Sequence, residues 1–177
     1  MTKRTAIMKA LIQRLKDNDQ NLVTLSLDLR ENRDKDQLNE LMFLLEGNKT
    51  VKTLFIKGNP LNGIQFAEYI AKLLQSNQTI TQFKWHGRLQ ADQTPISIIA
   101  AGLRNNQTLT SFELICCEIK NEGAEAIALA LGKNQSLITL NLDSNRIESR
   151  GIKSLALSVQ EHKTLKVFNL GAIRFVI

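Results

Sequence analysis

One pattern of apolar and polar residues recurs six times along the chain. Each copy has the form apolar-x-x-apolar-x-apolar, and successive copies begin 28 or 29 residues apart. Alternating apolar and polar residues predict a short strand with one buried face, and a constant period of this length predicts a repeat architecture. The six segments are Leu22–Leu27, Val51–Ile56, Ile80–Trp85, Leu109–Leu114, Leu137–Leu142 and Leu165–Leu170.

The segments between these strands have the periodicity of helices. Apolar residues recur there three and four positions apart, as at Ala67, Ile70 and Leu74, which places them on one helical face. Short polar residues that can accept a hydrogen bond from a free helical N–H stand at the predicted helix starts, and Pro95 suits a first helical turn. These predicted capping residues are Asn62, Thr94, Asn121 and Ser149.

Each repeat therefore contains a strand, a turn and a helix that leads to the next strand. Parallel strands with helical crossovers stack into a solenoid. Because strands pack about 4.8 Å apart and helices about 8–10 Å apart, the helical side of the stack must be the longer one. The predicted fold class is α/β: a horseshoe-shaped solenoid with parallel strands on its concave face and helices on its convex face.

The phrase Leu137-x-x-Leu140-x-Leu142-x-x-Asn145-x-Ile147-x-x-x-Gly151 and its counterpart from Leu109 to Gly123 carry a family resemblance. They resemble the leucine-rich repeat family, in its long ribonuclease-inhibitor-like subtype, and the resemblance covers roughly residues 22 to 170. It implies that an Asn or Cys after each strand points inward and satisfies loop backbone groups. Asn59, Cys117 and Asn145 match that position, whereas Arg30 and Arg88 depart from it.

The two ends of the chain differ from the repeats. Residues 1–177 are predicted to form a single leucine-rich repeat domain, in which residues 1–21 supply an N-terminal capping helix around Ala6–Lys16. Residues 171–177 form an apolar tail without a helix after the last strand. The tail folds over the end, the exposed strand edge mediates self-association, or the sequence is a fragment of a longer array; we favour the fragment.

Charge and cysteine content narrow the classes of partner and compartment. The formal net charge of +6 suits acidic partners, nucleic acid or anionic membranes, but the basic residues are scattered along the chain. No apolar run reaches the roughly 18 residues of a transmembrane helix, and no secretory signal peptide is evident. The only cysteines, Cys116 and Cys117, are adjacent, which predicts a reducing compartment without disulfides. We expect no cofactor and no metal site.

Four Asn-x-Ser/Thr sequons could indicate a glycosylated, secreted protein. They begin at Asn48, Asn77, Asn106 and Asn134, all in the same phase of the repeat just before a strand. Because Asn tolerates the left-handed conformation that ends many helices, we interpret these residues as structural.

No arrangement of residues predicts catalysis. The chain lacks the nucleophile-elbow, phosphate-loop and zinc-protease motifs. His86 is predicted on the strand face and His162 after a helix, so the two histidines lie far apart. The prediction is a protein that is not an enzyme and has no catalytic residue.

The concave face is the candidate binding surface, since alternate strand residues point away from the helices. Apolar Phe55 and Ile115 are predicted there among charged residues, a composition typical of binding patches. The alternative is that cross-strand pairs Asp28–Lys57 and Lys84–Glu113 merely neutralise one another. Trp85 is predicted to be core filler. The predicted partner-binding residues are Phe55, Lys57, Lys84, His86, Glu113, Ile115, Asn141 and Asp143.

These observations favour a protein-interaction module that binds a partner through its concave face. Residue usage rich in Asn, Gln, Lys and Ile resembles effectors that bacteria such as Legionella deliver into host cytosol. The resemblance implies a host protein as partner, and a cytoplasmic location or secretion without a signal peptide. Alternatives are binding of nucleic acid or an anionic surface, which the mixed charges disfavour, and non-enzymatic regulation of a GTPase or actin.

Overall fold

Six helices alternate with strands in the computed structural model, which describes residues 3–30, 34–89, 92–171 and 174–176. The helices are α1 (Lys3–Lys16), α2 (Lys35–Gly47), α3 (Gly63–Ser76), α4 (Thr94–Asn105), α5 (Asn121–Leu131) and α6 (Ser149–Glu161). The strands are β1 (Thr24–Asp28), β2 (Thr53–Lys57), β3 (Gln82–His86), β4 (Ser111–Ile115), β5 (Thr139–Asn141), β6 (Val167–Asn169) and β7 (Arg174–Val176). Among these described residues, no helix has the length and apolarity needed to cross a membrane.

The strands form one sheet in the order β1 to β7, and the first six run parallel. Residues at the same repeat position are direct neighbours, so that Leu25 pairs with Leu54 and Phe83 pairs with Phe112. This in-step register follows from the period, because a slip of one residue would turn every apolar side chain to the solvent face. The α/β solenoid with strands on one face and helices on the other is confirmed.

The core lies between the sheet and the helices. Phe83 and Phe112 stack with ring centroids 5.6 Å apart, and Phe66 of α3 meets Trp85 edge-on at 5.3 Å. Trp85 has no exposed surface, and its ring N–H donates to the Gly58 carbonyl at 3.2 Å. Burial of each such side chain is worth about 1.5–3 kcal/mol. The prediction that Trp85 fills the core is confirmed.

The helix starts are correct to within one residue, but only one predicted capping residue acts as expected. The Asn62 side-chain oxygen accepts from the Gln65 N–H at 3.1 Å. Thr94, Asn121 and Ser149 are instead the first residues inside their helices, and the residue just before each of them makes no side-chain cap hydrogen bond. The three cap predictions are wrong because a capping residue must lie just outside the helix, where its side chain can fold back onto the first turn.

Two of these starts are held by a side chain from the preceding repeat. The Asn121 side-chain oxygen accepts from the backbone N–H groups of Glu148 and Gly151, at 3.1 and 3.0 Å. The Gln93 side-chain oxygen accepts in the same way from the Lys120 N–H at 2.8 Å. Neighbouring repeats therefore share the free donors of their helix starts.

The sequon asparagines are structural, but the predicted left-handed backbone is wrong. Asn48, Asn77 and Asn106 end their helices in extended conformations with φ of −70°, −81° and −73°. All four sequon asparagines are buried, and Asn134 is completely so. Extended backbone is required here because the chain turns directly from the helix towards the next strand.

These buried side chains form a ladder of amides that joins the repeats. The Asn106 side-chain oxygen accepts from the N–H groups of Thr108 and Leu109, at 3.0 and 2.7 Å. Its amide nitrogen donates to the Leu74 carbonyl of the preceding repeat at 2.7 Å. Asn77 makes the same contacts with its own turn and with the Leu45 carbonyl. The Ser or Thr two residues later is thus part of a turn motif, which explains the sequon pattern.

The ladder has a different residue at its last rung. His162 is buried where the earlier repeats have Asn, and its Nδ1 accepts from the N–H groups of Thr164 and Leu165. Burial lowers the pKa of His162 below its usual 6.5, and the Asn134 backbone opposes that shift. A neutral imidazole is required, because a protonated Nδ1 cannot accept a hydrogen bond.

The two ends of the sheet are formed differently. The helix α1 buries Met8, Ile12 and Leu15 at the first end of the stack. At the other end β7 pairs antiparallel with β6, so this part of the tail folds back on the last parallel strand, which is one of the three alternatives that the sequence left open. Residues 172, 173 and 177 of the predicted tail lie outside the described residues.

We expect Asn106→Ala to lower the free energy of unfolding by about 2–4 kcal/mol, because two backbone N–H groups and one backbone carbonyl would lose their hydrogen-bond partner. Chemical denaturation measures the change. Asn105→Ala is the matched control, since Asn105 is the exposed residue one position earlier. Equal losses of stability from the two substitutions would contradict a stabilising role of the amide ladder.

We expect His162→Asn to remove part of the protein's sensitivity to acid. Since the folded pKa lies below 6.5, the unfolded chain binds the proton first as the pH falls. The stability contributed by neutral His162 is therefore present above pH 6.5 and is lost as the pH falls through the folded pKa. The difference in unfolding free energy between variant and wild type should widen below pH 6.5. Parallel stability curves from pH 8 to about 5 would count against it.

Candidate binding surface

The face of the sheet opposite the helices, here called the open face, carries two rows of side chains. In the first row, Phe55, Lys84, Glu113 and Asn141 are successive register partners in β2 to β5. In the second row, Lys57 pairs with His86 and His86 with Ile115. The first six of the predicted partner-binding residues therefore lie side by side, and Asn141 and Asp143 continue the rows in the next repeat.

Phe55, His86 and Ile115 form the apolar centre of the open face. The rings of Phe55 and His86 meet edge-on with centroids 4.9 Å apart, and Ile115 is the register partner of His86. The Lys57 ammonium lies 4.8 Å from the centre of the Phe55 ring. All three residues of the centre are half-buried, so part of each side chain remains open to a partner.

The electrostatics of this centre keep His86 neutral. Burial lowers the pKa of His86 below its usual value, the charges of Lys57 and Lys84 add to the shift, and Glu113 opposes it. At pH 7 the ring is therefore an uncharged, flat surface beside Phe55. A neutral imidazole can pack against an apolar side chain as well as form a hydrogen bond.

The charged residues around the centre are paired, though not entirely as the sequence suggested. Lys84 and Glu113 form the predicted cross-strand ion pair, with Nζ and Oε1 2.9 Å apart. Asp28 instead has its closest ion pair with Arg30 of its own repeat, which holds the pKa of the Asp28 carboxyl below its usual range. The turn after β1 brings the Arg30 guanidinium back over Asp28, and residue spacing alone does not reveal that return.

Asn141 and Asp143 are committed to their own turn more than to the apolar centre. The Asn141 side-chain oxygen accepts from the Asp143 N–H at 3.0 Å. The Asp143 backbone carbonyl accepts from the Cys116 N–H at 3.2 Å. These two residues stand at the side of the open face, where their polar groups hold the loop between β5 and α6.

The turns after the strands are held by Asn59, Cys117 and Asn145, the positions that the family resemblance singled out, but the three side chains differ in burial. Asn145 accepts from the N–H groups of Cys117 and Ile119 and donates to the Leu114 carbonyl. Cys117 is buried, and burial raises the pKa of its thiol to about 12. Asn59 is exposed, and its side-chain oxygen accepts from the Arg88 N–H at 2.9 Å.

Sequence reasoning missed a charged group at the edge of the open face. Arg88 Nε and Arg146 Nη2 lie 2.9 and 3.1 Å from the same oxygen, Glu118 Oε1. We call Arg88 and Arg146 the arginine pair. The three residues come from three successive repeats, and the backbone of Glu118 is left-handed, with φ of +58°. In the sequence, Arg88 differs only by replacing the Asn or Cys that the family pattern has at this position. That replacement was the one feature that could have pointed to this charged group.

The described residues contain no group of three or more His, Cys, Asp or Glu side chains placed to hold a metal ion. His86 lies on the open face, whereas His162 is buried in the amide ladder at the end of α6. The two histidines are therefore not brought together by the fold, and each has a local structural environment.

Comparison with known proteins supports the repeat assignment. The sequence profile described as Leucine Rich repeat matches residues 105–128 and 133–156. Comparison with curated protein sequences gives no match.

Two solved structures share the fold. The structure titled Leiomodin-1 Actin-Binding Site 2 aligns with a TM-score of 0.63 at 23% identity, over 88% of this chain and 91% of that one. The tropomodulin C-terminal domain of Caenorhabditis elegans aligns with a TM-score of 0.66 at 10% identity, over 86% of this chain and 91% of that one. At such identities the likeness concerns the fold alone. The matched repeats, the in-step parallel sheet and these structural neighbours together show that the fold is an α/β solenoid of the leucine-rich repeat type.

Proposed function

We propose that this protein is a non-catalytic interaction module that binds another protein on its open face. The observation that carries the proposal is the apolar centre, which lies in the middle of the sheet among charged side chains. Phe55, His86 and Ile115 come from three adjacent strands and together offer a continuous, half-buried surface.

This centre has the composition of an interface hot spot. Hot spots are enriched in aromatic residues that lie centrally and are surrounded by polar groups that exclude water. Lys57 on one side and the Lys84–Glu113 pair on the other supply such a polar surround. The parallel strands hold the side chains in place before binding, so little conformational entropy is lost when a partner docks.

The mixed signs of charge on the open face favour a protein over a nucleic acid. A nucleic-acid site requires a basic stripe that follows the phosphate backbone. Here Glu113 neutralises Lys84, and Asp143 stands further along the same face. Alternating charges of this kind complement a protein surface, where both signs occur together.

We expect Phe55→Ala to weaken capture of the partner from eukaryotic cytosolic lysate by at least about tenfold, since truncation of a central aromatic anchor typically costs 2 kcal/mol or more. Quantitative mass spectrometry of immobilised wild type and variant measures the loss. Phe43→Ala is the matched control, because Phe43 is an exposed phenylalanine on the helical side, in α2.

The control decides which face binds. Loss of the partner with Phe55→Ala and retention with Phe43→Ala would support the open face. The opposite pattern would overturn the proposal and point to the helices. Both variants are first compared with wild type by thermal unfolding, so that a folding defect is not mistaken for a binding defect.

Actin is a second candidate partner, favoured by one observation. The leiomodin structure that shares the fold over 88% of this chain is named as an actin-binding site. If this chain binds actin through the open face, it should sediment with filamentous actin, and Phe55→Ala should reduce the bound fraction while Phe43→Ala leaves it unchanged. Absence of sedimentation, together with an unaltered rate of actin polymerisation, would exclude actin.

The other hypotheses from the sequence receive less support. Delivery as a bacterial effector onto a host protein rests on residue usage, which carries no geometry, so the proposed function names no organism and no host. GTPase regulation has no residue assigned to it. A protein partner on the open face is the interpretation that the contacts favour.

A further inference from the structure

The arginine pair creates a local excess of positive charge at the edge of the open face. Two guanidinium groups share the single carboxylate of Glu118, and both approach its Oε1 atom. Because arginine remains protonated at all relevant pH values, the three side chains together carry one net positive charge. The excess is local, in contrast to the balanced Lys84–Glu113 pair nearby.

Both arginines keep hydrogen-bond donors available. Each guanidinium has five N–H donors, and the ion pairs with Glu118 use one nitrogen of each. The side chains of Arg88 and Arg146 are 64% and 63% exposed, whereas that of Glu118 is 20% exposed. The carboxylate therefore lies underneath and holds two outward-facing guanidinium groups in place.

The arginine pair is adjacent to the apolar centre. Arg88 follows His86 by two residues, so their Cα atoms are at most about 7 Å apart. The turn between them is anchored to the next repeat, because the Gly87 N–H donates to the Ile115 carbonyl at 3.2 Å. A bound chain of a few residues can contact both groups.

We propose that the open face recognises an extended acidic peptide segment, in which one apolar side chain packs on the apolar centre and a nearby carboxylate bridges the arginine pair. This inference rests on the proposed function and specifies its partner. Paired guanidinium groups match a carboxylate in shape as well as charge. Glu118 neutralises one of the two arginine charges, and the carboxylate of the peptide would neutralise the other.

The charges nearby favour a carboxylate on a protein over a polyphosphate. Glu118 and Glu113 lie within the same region and repel an extended run of phosphates. One net positive charge suits a single acidic side chain, whereas nucleic-acid binding neutralises several phosphates at once. The apolar centre adds selectivity, because it demands an apolar neighbour beside the acidic residue.

The test is selection of peptides from a random phage-displayed 12-residue library on the full chain, followed by fluorescence anisotropy with the synthetic selected peptide. Two double variants are compared with wild type. Arg88→Gln with Arg146→Gln removes the arginine pair. Arg104→Gln with Lys133→Gln removes the same charge from exposed positions on the helical side and serves as the control. A third variant, Phe55→Ala, tests the proposed function itself.

We expect the selected peptides to share an acidic residue within a few positions of an apolar one. Loss of the arginine pair should weaken binding about tenfold, equal to about 1.4 kcal/mol, and the control should match wild type. Replacement of the peptide's acidic residue by its amide should cause the same loss with the wild-type protein. It should cause no further loss with the variant that lacks the arginine pair, because the two groups act on each other.

Each other outcome is decisive. Peptides that need Phe55 but lack an acidic residue, or that ignore loss of the arginine pair, would overturn this inference and leave the proposed function intact. Peptides insensitive to Phe55→Ala, or a library without binders, would overturn both. Displacement of the peptide by polyuridylic acid, with a steep dependence on salt, would replace the acidic peptide with a nucleic acid.

Discussion

Buried amide side chains at the junction of helix and strand are the constraint on which the rest of the structure depends. An amide without partners in the interior costs several kcal/mol relative to water. Asn77, Asn106 and Asn134 avoid this cost because each bonds to its own turn and to carbonyls of the preceding repeat. Those bonds form only when adjacent repeats are in step, so the ladder enforces the period of 28 or 29 residues.

The first and last rungs of the ladder show what happens where a neighbouring repeat is missing. The amide nitrogen of Asn48, at the first rung, is buried without a hydrogen-bond partner among the described residues. The last rung has His162, whose ring nitrogen replaces the amide oxygen as acceptor. Interior rungs have a regular repeat on both sides, whereas each terminal rung keeps one buried side-chain nitrogen without a hydrogen-bond partner among the described residues. The sequences at both ends of a solenoid differ from the repeats because a neighbour is missing there.

The open face inherits its order from the ladder. Strands held in step place residues about 29 apart in the sequence within about 4.8 Å of one another. Phe55 consequently lies against His86, and Lys84 against Glu113, without any local sequence relation. A binding surface assembled in this way is rigid. A substitution in one repeat changes one side chain of the surface and leaves the others in place. This property suits a recognition surface, whose specificity is a matter of individual contacts.

The sequence predicted the repeats, the parallel register, the buried Trp85 and the rows of the open face. These features could be predicted because successive strand residues always point to opposite faces of a sheet, whatever the rest of the chain does. The sequence failed at the predicted caps Thr94, Asn121 and Ser149 and at the backbone conformation of the sequon asparagines. Those features depend on where one backbone group stands relative to another repeat, which a one-dimensional pattern does not specify.

What the sequence by itself determined is therefore the period and the side of the sheet to which each strand residue points. What only the tertiary structure decided is which polar groups meet: the amide ladder, the ion pair of Asp28 with Arg30, the arginine pair on Glu118, and the antiparallel tail on β6. The physical reason is range. Apolar alternation is local, while a hydrogen bond or ion pair requires two particular atoms to lie within about 3 Å, and in most of these contacts the two atoms come from different repeats.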